Sequence, residues 1–335
     1  MIRHNRITYL GIIFLGLVMW ILGGWNTDNG DFSNYEAMFT YDIVNMTTSN
    51  TPDYGFFLIL ELFKLLGLSF IQARIVIFLI YVITLSYASL KLSRKPFVVL
   101  LLYFITFFFR DVITLRNTIA LIFLIHAIVI ILDDNTNYKK TKFCILNFIA
   151  VTIHISFIIY FLILLVDKKV NLKIIAISSI MLAFVSNPIL SIFSGYIISD
   201  ENGQMQNKVD GMLGSSSYVS LIICSITVIF SVLLCLEAKG LMKKREYVDY
   251  KVRLITNMNV VLMVILIMTS LSMTFIRVYY NILLFDMILI SNVIIFNKKY
   301  TPLQLVWFLW IFLWSFIMSN VSLNFTRILT HNLLI

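Results

Sequence analysis

Charge is scarce in this chain. Only 13% of its 335 residues are Asp, Glu, Lys or Arg, about half the usual share of a soluble domain. Helix and strand breakers are few as well, with 12 Gly and 4 Pro, so connections are expected to be short. The three cysteines, Cys144, Cys224 and Cys235, all lie in apolar tracts without metal-ligand spacing. That excludes a disulfide-stapled secreted module and leaves them as small buried hydrophobes. No Walker loop, HExxH, CxxC or GxSxG string is present. What fills the chain is apolar side chains, 60% of residues, for a mean hydropathy of +0.93. A soluble globular enzyme and a disordered protein are both excluded.

With the bilayer as solvent, a spanning helix takes about 20 apolar residues. Apolar tracts run 7–25, 54–70, 75–90, 96–109, 117–132, 143–166, 174–194, 218–238, 254–275, 278–296 and 303–324. The tract after MIRHNR lacks a small-residue cleavage site and reads as a retained span. The net charge of +9 would suggest nucleic acid in a soluble protein. Here it holds loops on the cytoplasmic side, and no nucleic-acid partner is expected. Six clusters belong there: Arg3–Arg6, Lys91–Arg94–Lys95, Lys139–Lys140–Lys142, Lys168–Lys169–Lys173, the run Lys239 to Arg253, and Lys298–Lys299.

One span per tract cannot put all six on one side. Two tracts must enter and return, and the candidates are 54–70, interrupted by Glu61 and Lys64, and 143–166, with His154 at its middle. Each arm of the latter is about 11 residues, which reaches about 16 Å, half the hydrocarbon depth. The competing reading makes 143–166 one ordinary span that violates the lysine rule locally. With both hairpins the chain is an all-α polytopic membrane protein of about nine spans, amino terminus inside and carboxyl terminus outside. Residues 1–335 then form a single transmembrane domain. Its outer loops are 26–53 and 195–217, and 239–253 is a basic cytoplasmic loop.

Seven basic residues fall outside the cytoplasmic clusters: Lys64, Arg74, Arg110, Arg116, Lys208, Arg277 and Arg327. Topology is indifferent to the kind of cation, so a shift toward arginine needs another cause. Arginine stays charged and presents a planar fork that matches phosphate oxygens. Arg110, Asp111 and Arg116 stand in FFFRDVITLRNTIA; they converge only if the chain bends between them, and Asp111 is placed to orient an arginine. Arg277 precedes an aromatic run, and Arg74 precedes a span. The plainer reading of each is an interfacial anchor or a local ion pair. His154 is either a satisfied core residue or a proton acceptor, since imidazole suits proton transfer. Asp31 and Tyr35 lie in an acidic outer stretch without Lys or Arg, where carboxylates suit sugar hydroxyls. Asp286 is a second buried carboxylate whose partner the sequence does not name.

Several strings together resemble the EpsG-type, Wzy-like polymerases of bacterial exopolysaccharide, capsule and O-antigen synthesis. They are GDFSNYEAMF, with Asp31 and Tyr35; PDYGFFLILELFKLLGLSF; LRNTIALIFLIHAIVII followed by FIAVTIHISFII, with Arg116, Ala120, His154 and Ser156; and the late Arg277. Asn117 stands where members carry Gln. The resemblance implies a metal-independent glycosyltransferase without cofactor, built like a GT-C-type bundle in the bacterial cytoplasmic membrane with its site facing outward. Its substrates would be polyprenyl-pyrophosphate-linked glycans, as donor and acceptor. Membrane lipid, a chain-length regulator and a flippase would be further partners. The expected site comprises Arg116, Arg277 and His154 as catalytic groups. Arg110, Arg74, Asp31, Tyr35, Asn117 and Asp111 would bind substrate. A lipid-linked oligosaccharide flippase, a glycan acyltransferase and a non-catalytic assembly subunit remain open as alternatives.

Overall fold

The computed structural model describes residues 4–40, 53–133, 137–166, 174–175, 177–179, 181–182, 218–243, 250–271, 275–297, 301–318 and 327–332. These residues are overwhelmingly helical. Among the described residues, five helices are long and apolar enough to cross a bilayer: Arg6–Gly24, Phe70–Leu92, Pro96–Ile113, Cys224–Leu241 and Tyr250–Ile267. Leu115–Ile131 and Ile155–Leu165 are shorter apolar helices. The all-α polytopic membrane architecture is therefore borne out. The outer loop 195–217, Lys168–Lys173 and most of the 174–194 tract lie outside the described residues.

The chain divides into two compact units, residues 1–158 with 287–335, and residues 159–286. In the first, α1 (Arg6–Gly24) runs alongside α4 (Phe70–Leu92). Ile7, Leu10, Phe14 and Leu17 of α1 are exposed while Leu15, Met19 and Leu22 are buried. An outward face of bare leucine and isoleucine suits lipid, not water. The unit has two chemically distinct ends. At one, His4 meets the Leu90 carbonyl at 3.1 Å, Lys91 pairs with Asp133 at 2.8 Å, and Ser93 meets Ser291 at 2.6 Å. At the other, Thr27 N–H donates to the His331 carbonyl at 2.9 Å, and Arg327 lies 3.8 Å from Asp28. The carboxyl-terminal segment thus docks on the acidic loop.

Within that loop, α2 (Phe32–Thr40) is helical, and α3 (Tyr54–Leu65) follows. The 54–70 tract is a single helix of 12 residues, about 18 Å, too short to cross. It stops because Gly67, at φ +71°, closes a Schellman turn: Gly67 N–H donates to Lys64 and Leu68 N–H to Phe63. Ser69 and Gln72 then form a capping box that starts α4.

A π-helical turn, Phe104–Phe108, lies inside α5 (Pro96–Ile113). The chain bends at Thr114, and α6 (Leu115–Ile131) begins. α6 and α7 (Lys139–Ile153) pack against one another. At His154 the backbone turns extended, φ −149° and ψ 110°, and a 3-10 helix, Ile155–Leu165, follows. Asn147 Nδ2 lies 3.4 Å from the Phe157 carbonyl. In an unbroken helix residues ten apart are separated by about 15 Å, so the chain folds back at His154. The 143–166 tract is therefore broken at His154 and does not run as one continuous helix.

The second unit contains α8 (Tyr218–Lys243), α9 (Tyr250–Val261), α10 (Ile265–Leu271) and α11 (Ile276–Tyr280). α12 (Leu283–Asn297) begins there and ends in the first unit; α13 (Pro302–Met318) follows. α8 runs on through Lys243, so the basic stretch 239–253 is helical at both ends. Asp286 now has named partners. Asn259 Nδ2 donates to Oδ1 at 2.6 Å, Cys235 Sγ lies 3.6 Å away, and Tyr279 O–H donates to Asn259 at 2.7 Å.

Candidate active site

α6 and α7 are antiparallel neighbours of similar length, so their far ends come level. Arg116 in the first turn of α6 and His154 just past α7 therefore meet at the end opposite the Lys91–Asp133 pair. Between them stands Asp53, at the start of α3. An aspartate in that position usually accepts from the N–H groups of its own helix. Asp53 makes no such bond. Its Oδ2 instead accepts from Arg116 Nη1 at 2.8 Å, and its Oδ1 accepts from Ile155 N–H at 3.2 Å.

The second contact has a structural cause. Breaking a helix at membrane depth frees backbone groups that lipid cannot satisfy. Asp53 takes the N–H freed beside His154, and Asn147 covers the Phe157 carbonyl. Gly55 makes the approach feasible. A Cβ there would strike Thr152 Oγ1 and lie 2.9 Å from the Thr152 carbonyl carbon, so any larger residue would push α3 off α7.

His154 Nδ1 lies 3.9 Å from Asp53 Oδ1, beyond hydrogen-bond reach, and has no hydrogen-bond partner among the described residues. Burial pushes the Asp53 carboxyl up, but His154, the Ile155 N–H and Arg116 outweigh it, and the net shift is downward. The Asp53 side chain is 7% exposed, whereas Arg116 is 30% and His154 32% exposed. The carboxylate is closed in, and the arginine and histidine on either side of it are more open. Arg116 also places positive charge in the first turn of α6, where the helix dipole disfavours it and favours an anion.

α2 covers this cluster. Tyr35 and Phe56 rings lie 5.9 Å from the Arg116 guanidinium carbon, within cation–π range. Tyr35 is buried, which raises its pKa, while the Arg116 charge opposes the rise. Three residues earlier, Phe32 faces a second guanidinium. Arg74 is fully buried, donates through Nη2 to the Gly23 carbonyl at 2.9 Å, and sits 5.4 Å from the Phe32 ring and 5.5 Å from that of Phe78. One face of α2 therefore rests on both arginines. Asp31, half-buried, begins this segment, and its carbonyl accepts from Tyr35 N–H at 3.1 Å.

Arg110 and Asp111 belong to a different cluster. Asp111 is fully buried; its Oδ2 accepts from Tyr81 and Tyr103 hydroxyls, each at 2.6 Å, and its Oδ1 from Arg110 Nη2 at 2.8 Å. The bend at Thr114 separates the two arginines, and each addresses its own carboxylate. Asn117 is buried beside Arg116. Arg277 lies in the second unit, on α11, with an exposed side chain. Among the described residues no three His, Cys, Asp or Glu side chains are grouped to hold a metal ion.

The EpsG family model matches residues 7–333, nearly the whole chain. The chain belongs to the EpsG family. Membership makes it a membrane-embedded protein of polysaccharide synthesis, linked to glycan polymerisation. No curated protein and no solved structure gives a match. Of the residues expected at an EpsG-family site, the structure draws Arg116, His154 and Tyr35 together, and it adds Asp53. The missed signal was a proline-preceded aspartate opening an apolar helix, with a glycine two residues on, in PDYG.

Proposed function

We propose that this EpsG-family protein is the polymerase that joins polyprenyl-pyrophosphate-linked repeat units at the outer face of the cytoplasmic membrane. The observation that carries this reading is the convergence of Arg116 and His154 on Asp53 at the end bearing the acidic loop. A glycosyl transfer of this kind breaks the anomeric carbon–pyrophosphate bond and forms a bond from that carbon to an acceptor hydroxyl oxygen. Negative charge grows on the departing pyrophosphate, and the Arg116 guanidinium stabilises it; one such donor is worth about 10²–10³ in rate. The hydroxyl proton passes to His154, a general-base contribution of about 10²–10⁴. Arg74, under the same helix as Arg116, is a further pyrophosphate contact in this reading. Asp31, Tyr35 and Asn117 contact sugar, whereas the sealed Arg110–Asp111 pair serves the fold.

The test is to replace Arg116 and His154 singly by Ala and read surface glycan length on a gel, at matched protein level in the membrane. Single repeat units displayed outside are expected. Full-length glycan in both variants would overturn the reading, and repeat units held on the inner leaflet would indicate a flippase instead.

A further inference from the structure

Asp53 occupies Arg116 in a way that an arriving substrate would have to undo. The ion pair is made through a single guanidinium nitrogen at 2.8 Å, not the two-point fork that arginine makes with carboxylates and phosphates at its strongest. Arg116 is open to the exterior while Asp53 is not. The other carboxylate oxygen is pinned by Ile155 N–H, 3.2 Å away, and that same oxygen points toward His154 Nδ1, 3.9 Å away. Closing by about 1 Å would make it a hydrogen bond. The Nδ1 it would reach is buried and has no hydrogen-bond partner among the described residues.

Resting on the polymerase reading above, we infer that Asp53 exchanges partners: it stands in for phosphate on Arg116 in the empty site, and passes to His154 Nδ1 when a pyrophosphate takes the guanidinium. The charges support the direction. Arg116 and Asp53 neutralise one another while the site is empty. An incoming pyrophosphate brings several negative charges to the same guanidinium and repels the carboxylate. The Ile155 N–H serves as the pivot, and the imidazole Nδ1, 3.9 Å from the same oxygen, is a buried ring nitrogen without a hydrogen-bond partner among the described residues. With its Nδ1–H held by Asp53, His154 presents Nε2 as the proton acceptor. Asp53 is thus a positioning residue: it couples arrival of the leaving group to preparation of the base, and touches neither substrate.

The experiment uses membrane vesicles carrying the full chain and its lipid-linked repeat units, with inorganic pyrophosphate as a competing probe. Arg116→Ala is measured first and is expected to lose polymer formation. Retained polymer there ends the polymerase reading and this inference together. With that loss established, Asp53→Asn is expected to slow polymer formation by about tenfold to a hundredfold. The pyrophosphate concentration that halves the remaining rate should stay the same or fall, because the resident competitor is gone. An undiminished rate overturns the exchange. So does a rise in the half-inhibitory concentration, the result expected if Asp53 only holds Arg116 in place. Asp53→Glu restores the charge and should recover part of the rate. If the Asn variant does not accumulate, the Glu variant decides: activity above that of His154→Ala supports the exchange, and activity no higher contradicts it.

Discussion

Two of the Arg–Asp pairs in the first unit, Arg110–Asp111 and Arg116–Asp53, have surroundings that differ. Asp111 is sealed: two tyrosine hydroxyls and Arg110 meet its two oxygens, and its side chain is 0% exposed. Asp53 is held between an open arginine, a freed backbone N–H and an imidazole just out of reach. A buried carboxylate with both oxygens already engaged has little capacity to respond to a ligand; its effect is on folding. A pair with one exposed member and one unmet neighbour is poised for exchange. The comparison separates arginines that hold the bundle from arginines that face chemistry, though both kinds look alike as letters in an apolar tract.

The widest separation is expected between Arg116→Ala and Asp111→Ala. The first should leave membrane level near normal and cut polymer formation by about 10²–10³-fold. The second strands Arg110 and two tyrosine hydroxyls in the interior, at a cost of about 3–5 kcal/mol, and should show as loss of folded protein in a thermal-stability assay of detergent extracts. Gly55→Ala sharpens the contrast from the backbone side. The added methyl meets Thr152, an overpacking cost of about 1–3 kcal/mol, and it parts Asp53 from His154, so polymer should shorten more than membrane level falls. Tyr81→Phe removes one hydrogen bond to the Asp111 carboxylate, worth about 1.5–3 kcal/mol. Its melting temperature should drop while glycan length at matched level stays that of wild type.

The smallest effect is on pH. The folded protein holds the Asp53 carboxyl below its ordinary value of about 3.9. Its contribution to stability is therefore complete above that value and lost only as pH falls through the lower, folded one. The melting difference between wild type and Asp53→Asn should close as pH falls below about 4. A difference that persisted unchanged at more acid pH would assign the stabilisation to another group.

Much of this was legible because membrane energetics are coarse. Lysine clusters on both sides of 143–166 argue against one continuous span, and the helix is broken at His154. The shift from Lys to Arg outside those clusters picked out Arg116 and Arg74. The interruption of 54–70 by Glu61 and Lys64 marks it as a tract that does not simply cross, while its end at the Gly67 turn and the Ser69–Gln72 cap is local chemistry that apolar continuity hides. Arg110 was grouped with Arg116 because they share one string. Only the bend at Thr114, and two tyrosines contributed by separate helices, send it elsewhere. Asp53 was one acidic residue among several in the first loop. Its partners lie 63 and 102 positions away, a distance that spacing patterns do not carry.

The most direct test of a single Arg116–His154 centre is the rate of polymer formation in vesicles carrying Arg116→Ala, His154→Ala and both together, at equal protein level. Residues that serve one transition state as a unit lose their effect together, so the double variant should be no slower than the slower single variant. A double variant slowed by the product of the two separate losses would mean that the arginine and the histidine act independently, and would contradict the account.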